Sequence, residues 1–158
     1  MMHKFYCNDL DFYICIGEEI VEELFSYRQK NCSSKESGGM LFTNKLDNEG
    51  VEINRISVPC SSDIRKRNFF KLDEKKAKKE ILMQFENGFH YLGDWHTHNE
   101  SIVTPSSTDI NSIHELFIKS KHNRPFFIMF IISNQIVISN SFLAAADGKK
   151  IYRFMYQN

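Results

Sequence analysis

Apolar and polar positions alternate from Phe12 to Ile16, stop at Gly17, and then change period, with Ile20, Val21, Leu24, Phe25 and Tyr27 recurring at helical spacing. A period of two marks a strand with one buried face, and a period near 3.6 marks an amphipathic helix. The pattern therefore predicts a strand running straight into a helix. Glu18, Glu19, Glu22 and Glu23 lie mostly on the polar side of that helix, the earliest of them suited to its positive N-terminal end. A polar stretch from Asn31 to Gly38 leads to a strand over Gly39 to Thr43. Leu46 to Gly50 reads as a hairpin turn into a further strand, Val51 to Val58, and Pro59 to about Leu72 reads as a loop.

Asp73 is a good N-cap for a second helix that carries Ala77, Ile81, Leu82 and Phe85 on one side, lysines on the other, and Asn87-Gly88 as its stop. Phe89 to His98 then predicts a strand, and Ser106 opens a third helix through Ile110, Ile113 and Phe117. The unbroken apolar run Phe126 to Ile132 predicts a buried strand paired with Gln135 to Ser139 across Ser133-Asn134. Phe142 to Ala146 and Lys150 to Met155, joined at Asp147-Gly148, supply the last strands. The sum is an α/β (α+β) fold with a mixed, mostly antiparallel sheet flanked by helices.

A length of 158 residues predicts one domain spanning 1–158. The 20 Lys and Arg balance the 20 Asp and Glu, so no global charge draws the chain to nucleic acid or to an anionic membrane. The N-terminal Met1 to Asn8 has no apolar stretch of signal-peptide length, and Phe126 to Ile132 is too short to span a bilayer, which predicts a cytoplasmic protein. Cys7, Cys15, Cys32 and Cys60 lack any Cys-x-x-Cys spacing and read as reduced, buried or idle thiols.

The chemistry concentrates between His96 and Asp109. His96 and His98 lie two apart on a strand and so share a face, about 6–7 Å apart at the Cβ level, close enough to reach one ion. Ser106 and Asp109, three apart at a helix start, have the spacing of a capping pair. Delivered directly after the two histidines, Asp109 also completes a three-ligand set for zinc with one position left to water. A helical His-Glu-x-x-His motif is absent, and after Pro59-Cys60 the deaminase pattern fails because Asp63 stands where a second Cys is needed. His114 lies about 140° around the helix from Asp109, and His3, His90 and His122 have no spacing partner.

Hydrolysis at such a site also needs a carboxylate outside the ligand set to take a proton from water. Glu36 is the first choice, beside Gly38-Gly39 at the start of a strand, with Glu100 and Glu52 as rivals. Ser106 could donate its hydroxyl to the oxyanion of a tetrahedral intermediate.

The pattern His96-x-His98, seven residues, Ser106-x-x-Asp109, with Glu36-x-x-Gly39-x-Leu41 upstream, resembles the JAMM motif of the JAB/MPN metalloproteases. The resemblance implies zinc held by His96, His98 and Asp109, Glu36 as general base and Ser106 as oxyanion donor, in a single MPN/JAB-like fold. Asn99 stands where the family usually has Pro, and Thr43 where it often has Gly.

Gly93-Asp94-Trp95-His96-Thr97-His98 and the polar, basic stretch Pro59 to Phe70 are similar to the prokaryotic JAB branch encoded beside ubiquitin-like conjugation enzymes in CBASS antiphage operons. That placement implies a deubiquitinase-like isopeptidase acting on conjugates made through a ubiquitin-like or CD-NTase-type C-terminal tail, with an E1/E2-like enzyme encoded nearby. The basic run Arg65-Lys66-Arg67 through Lys71, Lys75, Lys76, Lys78 and Lys79 offers a contact for an acidic partner. The competing readings are a metal-free MPN scaffold and a RadC-type DNA-repair-associated JAB protein. The second of these lacks a helix-hairpin-helix segment and a positive charge here.

Overall fold

Residues 1–158 are described by a computed structural model. The chain order is β1 (Met2–Cys7), β2 (Phe12–Gly17), α1 (Glu18–Ser26), β3 (Gly38–Thr43), β4 (Gly50–Ile53), β5 (Arg55–Ile56), β6 (Ile64–Lys66), β7 (Phe69–Lys71), α2 (Glu74–Glu86), β8 (His90–Thr97), α3 (Ser107–Lys119), β9 (Phe127–Ile132), β10 (Phe142–Ala146) and β11 (Ile151–Gln157). Nine strands form one sheet in the order β4-β2-β1-β11-β10-β9-β8-β3-β5, and β6 and β7 form a separate hairpin. All pairings in the large sheet are antiparallel except β2 with β4 and β8 with β9. The predicted mixed, mostly antiparallel sheet with helices is what forms.

The two end strands of that sheet, β4 and β5, are separated in sequence only by Asn54. A single residue cannot cross a flat nine-stranded sheet, so the sheet curls until its edges meet, and Asn54 N donates to Phe42 O at 3.1 Å in the seam. α1 places Val21, Leu24 and Phe25 in the larger core on one face, and α3 places Ile113 in a smaller core on the other. Alternate residues of β9 feed the two cores, Ile128, Phe130 and Ile132 into the first and Phe127, Met129 and Ile131 into the second. This is why the run from Phe126 is continuously apolar: the strand is covered on both faces.

The sequence-based elements change in five places. Met2–Cys7 is an additional strand, paired residue for residue with β2 and burying His3, Phe5 and Cys7. The expected strand from Val51 to Val58 is broken at Asn54 into β4, parallel to β2, and β5, antiparallel to β3, because it supplies both edges of the closed sheet. The expected loop from Pro59 to Leu72 contains the β6-β7 hairpin. Gln135 to Ser139 is not a strand: Ile138–Asn140 is a short 3₁₀ turn, and β9 pairs with β10 instead. On α2, Leu82 and Phe85 face solvent while Gln84 is buried, taking a hydrogen bond from Arg55 at 3.0 Å. A helix docked through a polar contact needs no apolar stripe.

Gly93 shapes the strand that carries the histidines. Its φ is +145°, and a Cβ placed there would lie 1.9 Å from Ile128 O on the neighbouring strand. The β3-β8 register slips at this point, so Tyr91 and Asp94 share a face although they are three apart. The Tyr91 hydroxyl then donates to Asp94 Oδ1 at 2.6 Å.

Candidate metal centre and flanking carboxylate

β8 ends with Thr97 fully buried between His96 and His98, whose rings emerge together with centroids 5.1 Å apart. His98 N continues the ladder by donating to Ile132 O at 3.0 Å, so the second histidine is held beyond the formal strand end. The loop that follows is tied down: Asn134 N donates to Glu100 O, Ser133 Oγ donates to Ser101 O at 2.9 Å, and Val103 is buried with its N–H on Asn140 O. Asn99, in the place of the family's Pro, bridges Asn31 and Asn134 through its side chain.

α3 then starts with a reciprocal cap in which Ser106 Oγ accepts from Asp109 N at 3.1 Å and Asp109 Oδ2 accepts from Ser106 N at 2.8 Å. The cap and the metal group turn out to be compatible. The same Asp109 carboxylate lies 3.0 Å from His96 Nε2 through Oδ1 and 3.1 Å from His98 Nε2 through Oδ2. His96, His98 and Asp109 offer ligand atoms all within 4.8 Å of one another, an arrangement that could hold a metal ion.

Two features fit such an ion. His96 Nε2 is buried and has no hydrogen-bond partner, because its approach to Asp109 lacks the geometry of one. A buried polar nitrogen left in this state is costly unless something else takes its lone pair. On His98, Nδ1 lies 2.7 Å from Glu100 Oε1. An ionised carboxylate only accepts, so Nδ1 carries the proton and Nε2 presents its lone pair, the usual arrangement of a ligating histidine.

Glu36 is brought to this group by strand register. Gly38 pairs with His96 in the β3-β8 ladder, and Thr97 N donates to Ser37 O at 2.9 Å, which sets the preceding residue beside the strand end. Its side chain is buried, and burial pushes its pKa up to about 7, against the pull of the nearby His98 and with the push of Asp109. Of the other two carboxylates, Glu100 is bonded to His98, and Glu52 is exposed on β4, opposite Cys15 on β2. Asp94, on the face of His96, is turned to Tyr91, and burial raises its pKa to about 6. His114 is outside the group, His3 is paired with Tyr156 and Glu18, and His122 Nε2 donates to Phe117 O.

Residues 18–145 match the family of prokaryotic homologs of the JAB domain. The chain belongs to that family. Over 112 residues this JAB chain is 40% identical to an Escherichia coli protein named CD-NTase/cGAS isopeptidase, covering 68% of this chain and 70% of the relative. A Vibrio cholerae protein of the same name is 36% identical over 110 residues, covering 66% and 69%. A solution structure of a Desulfitobacterium hafniense protein superposes with a TM-score of 0.62 at 19% identity, covering 87% of each chain, which speaks to the fold alone.

No sequence pattern signals the buried polar network behind the JAB site. Ser37, Thr97 and Gln29 are each at most 2% exposed, yet they are linked by Ser37 N donating to Thr97 Oγ1 at 3.0 Å and Thr97 Oγ1 donating to Gln29 Oε1 at 3.1 Å. Gln29 and Ser37 lie in or beside a polar stretch that reads as an exposed connection, so only tertiary contact identifies them. The basic run also divides. The Arg65 guanidinium donates to Glu36 O and Ser37 Oγ, whereas no side-chain hydrogen bond ties down Arg67, Lys71, Lys75, Lys76, Lys78 or Lys79, all exposed. No helix is long and apolar enough to cross a membrane.

Proposed function

We propose that this JAB protein is a JAMM-type zinc isopeptidase that hydrolyses the amide between the C-terminal tail of a conjugated CD-NTase-type or ubiquitin-like protein and a lysine amine. The observation that carries the reading is the convergence of His96, His98 and Asp109, with an orphaned imidazole nitrogen, beside the buried carboxylate of Glu36. The two relatives named CD-NTase/cGAS isopeptidase support the substrate class. The proposed setting is the bacterial cytoplasm during antiphage defence, with a nearby E1/E2-like enzyme making the conjugate.

In this reading His96 Nε2, His98 Nε2 and Asp109 hold the zinc, and Glu100 fixes the His98 tautomer. Zinc so bound supplies Lewis acidity, making water acidic enough to ionise near neutral pH and polarising a carbonyl. Glu36 accepts a proton from the attacking water. As the carbon–nitrogen bond breaks, Glu36 returns that proton to the departing lysine amine. Ser106 Oγ accepts from Asp109 N, which leaves the hydroxyl hydrogen free to donate to the carbonyl oxygen as negative charge gathers there.

Mass analysis of the products from a lysine-linked conjugate tests the reading. It predicts an intact substrate tail ending in a free carboxyl and an unmodified target lysine; cleavage within either chain would contradict it. Ser106→Ala is expected to lower kcat about 10²–10³-fold and to cost about 1 kcal/mol through the lost cap. Turnover assays and urea unfolding separate the two effects, and near wild-type kcat would remove Ser106 from the chemistry.

A further inference from the structure

The β6-β7 hairpin is joined to the Glu36 segment at four points. Arg65 Nε donates to Glu36 O at 2.9 Å, Arg65 Nη2 donates to Ser37 Oγ at 2.7 Å, and Glu36 N donates to Lys66 O at 2.8 Å. The Phe70 ring covers Gly38 so closely that a Cβ there would lie 2.5 Å from it. Both the N–H and the C=O of Glu36 are thus bonded to the hairpin, and no strand of the main sheet holds this residue.

These contacts close into a ring. From Arg65 they pass to Ser37, from Ser37 N to Thr97 Oγ1, from Thr97 to Gln29 Oε1, and from Gln29 Nε2 to Arg67 O at 3.0 Å, two residues beyond Arg65. Gln29 Nε2 also donates to Ser34 O at 3.1 Å. With the amide in this orientation its oxygen and nitrogen all find complementary partners, so the buried side chain is satisfied and rigid. Thr97 belongs to the ring and lies between the two histidines. One connected network therefore spans the ligand strand, the Glu36 segment and the hairpin.

We propose that the β6-β7 hairpin is a clamp that sets the Glu36 carboxylate against the His96-His98-Asp109 group, with Arg65 as its positioning residue. The inference rests on Glu36 acting as the base. An Arg is suited to this task because its planar fork donates to two acceptors in a fixed geometry, which the single ammonium of Lys cannot reproduce. Its two hydrogen bonds go to the Glu36 backbone and to Ser37, so through them it contributes to turnover rather than to substrate affinity.

Gln29 is fully buried, and variants there risk the fold. Arg65 is exposed outside these contacts and is the residue to change. Arg65→Ala and Arg65→Lys would be compared with the wild type and with Glu36→Gln for zinc content, and for kcat and KM on a short isopeptide-linked peptide and on a whole protein conjugate. Arg65→Ala is expected to keep one zinc and the wild-type KM while kcat falls about 10²-fold, as a displacement near 1 Å at a reacting group produces. The fall should be equal on both substrates, and Arg65→Lys should not restore it. A rise in KM confined to the protein conjugate, full activity in Arg65→Lys, or unchanged kcat in Arg65→Ala would overturn the proposal while leaving the base assignment intact. Retained turnover in Glu36→Gln would instead remove the base assignment, and the clamp with it.

Discussion

Glu36→Gln is expected to bind zinc as the wild type does and to lose about 10²–10⁴-fold or more in kcat. Glutamine fills the same volume but does not accept a proton at neutral pH, so the substitution removes the chemistry and spares the packing. Zinc should stay, because Glu36 is not among the three residues whose ligand atoms converge within 4.8 Å. The fold should stay as well, since burial already disfavours the charge on this side chain. Metal analysis, thermal melting and single-turnover cleavage on one preparation test all three points. Loss of zinc would make Glu36 a ligand, and preserved cleavage would make it a bystander.

Gly93→Ala is expected to cost on the order of 4 kcal/mol, the sum of backbone strain and overpacking. The residue sits at φ +145°, where an L side chain is strained whatever the space, and the added methyl would press against Ile128 O at 1.9 Å. The contact lies between β8 and β9, the parallel pair that carries His96 opposite Ile131. Relief would therefore shift the ligand strand, and zinc affinity should fall together with stability. Urea unfolding with and without zinc measures both effects. A loss below about 1 kcal/mol would show that the strand tolerates a side chain and that the bulge is not fixed by glycine.

How much of this was legible in the sequence depends on whether the information is local. The period-two and helical runs around α1, α3, β9 and β10 were readable because each element is covered by apolar neighbours on a definite face. His96, His98 and Asp109 were readable because a strand end and a helix start follow one another closely, so short spacings translate directly into proximity. Glu36 was different: its position depends on pairing across about 60 residues, Gly38 with His96, so the glycines beside it made it only the first of three choices and the family resemblance strengthened it. The split at Asn54 reflects closure of the sheet, a global property that no local period encodes. The α2 face departs from its apolar pattern because Gln84 and Arg55 make the docking contact in place of Leu82 and Phe85. Gln29 reads as part of a polar connection and Arg65 as part of a basic run, and only the folded chain shows Gln29 buried and Arg65 bonded to the Glu36 segment.

The central claim is that three residues of this JAB protein hold a zinc on which amide cleavage depends. The most direct test measures cleavage of a lysine-linked protein conjugate and bound metal on the same samples: as purified, after chelation, after zinc is restored, and for His98→Ala and Asp109→Ala. The account predicts about one zinc per chain, from the single three-ligand group, with cleavage lost on chelation, recovered with zinc, and absent with the metal in both variants. Undiminished cleavage by the metal-free protein, or full zinc content in Asp109→Ala, would contradict it.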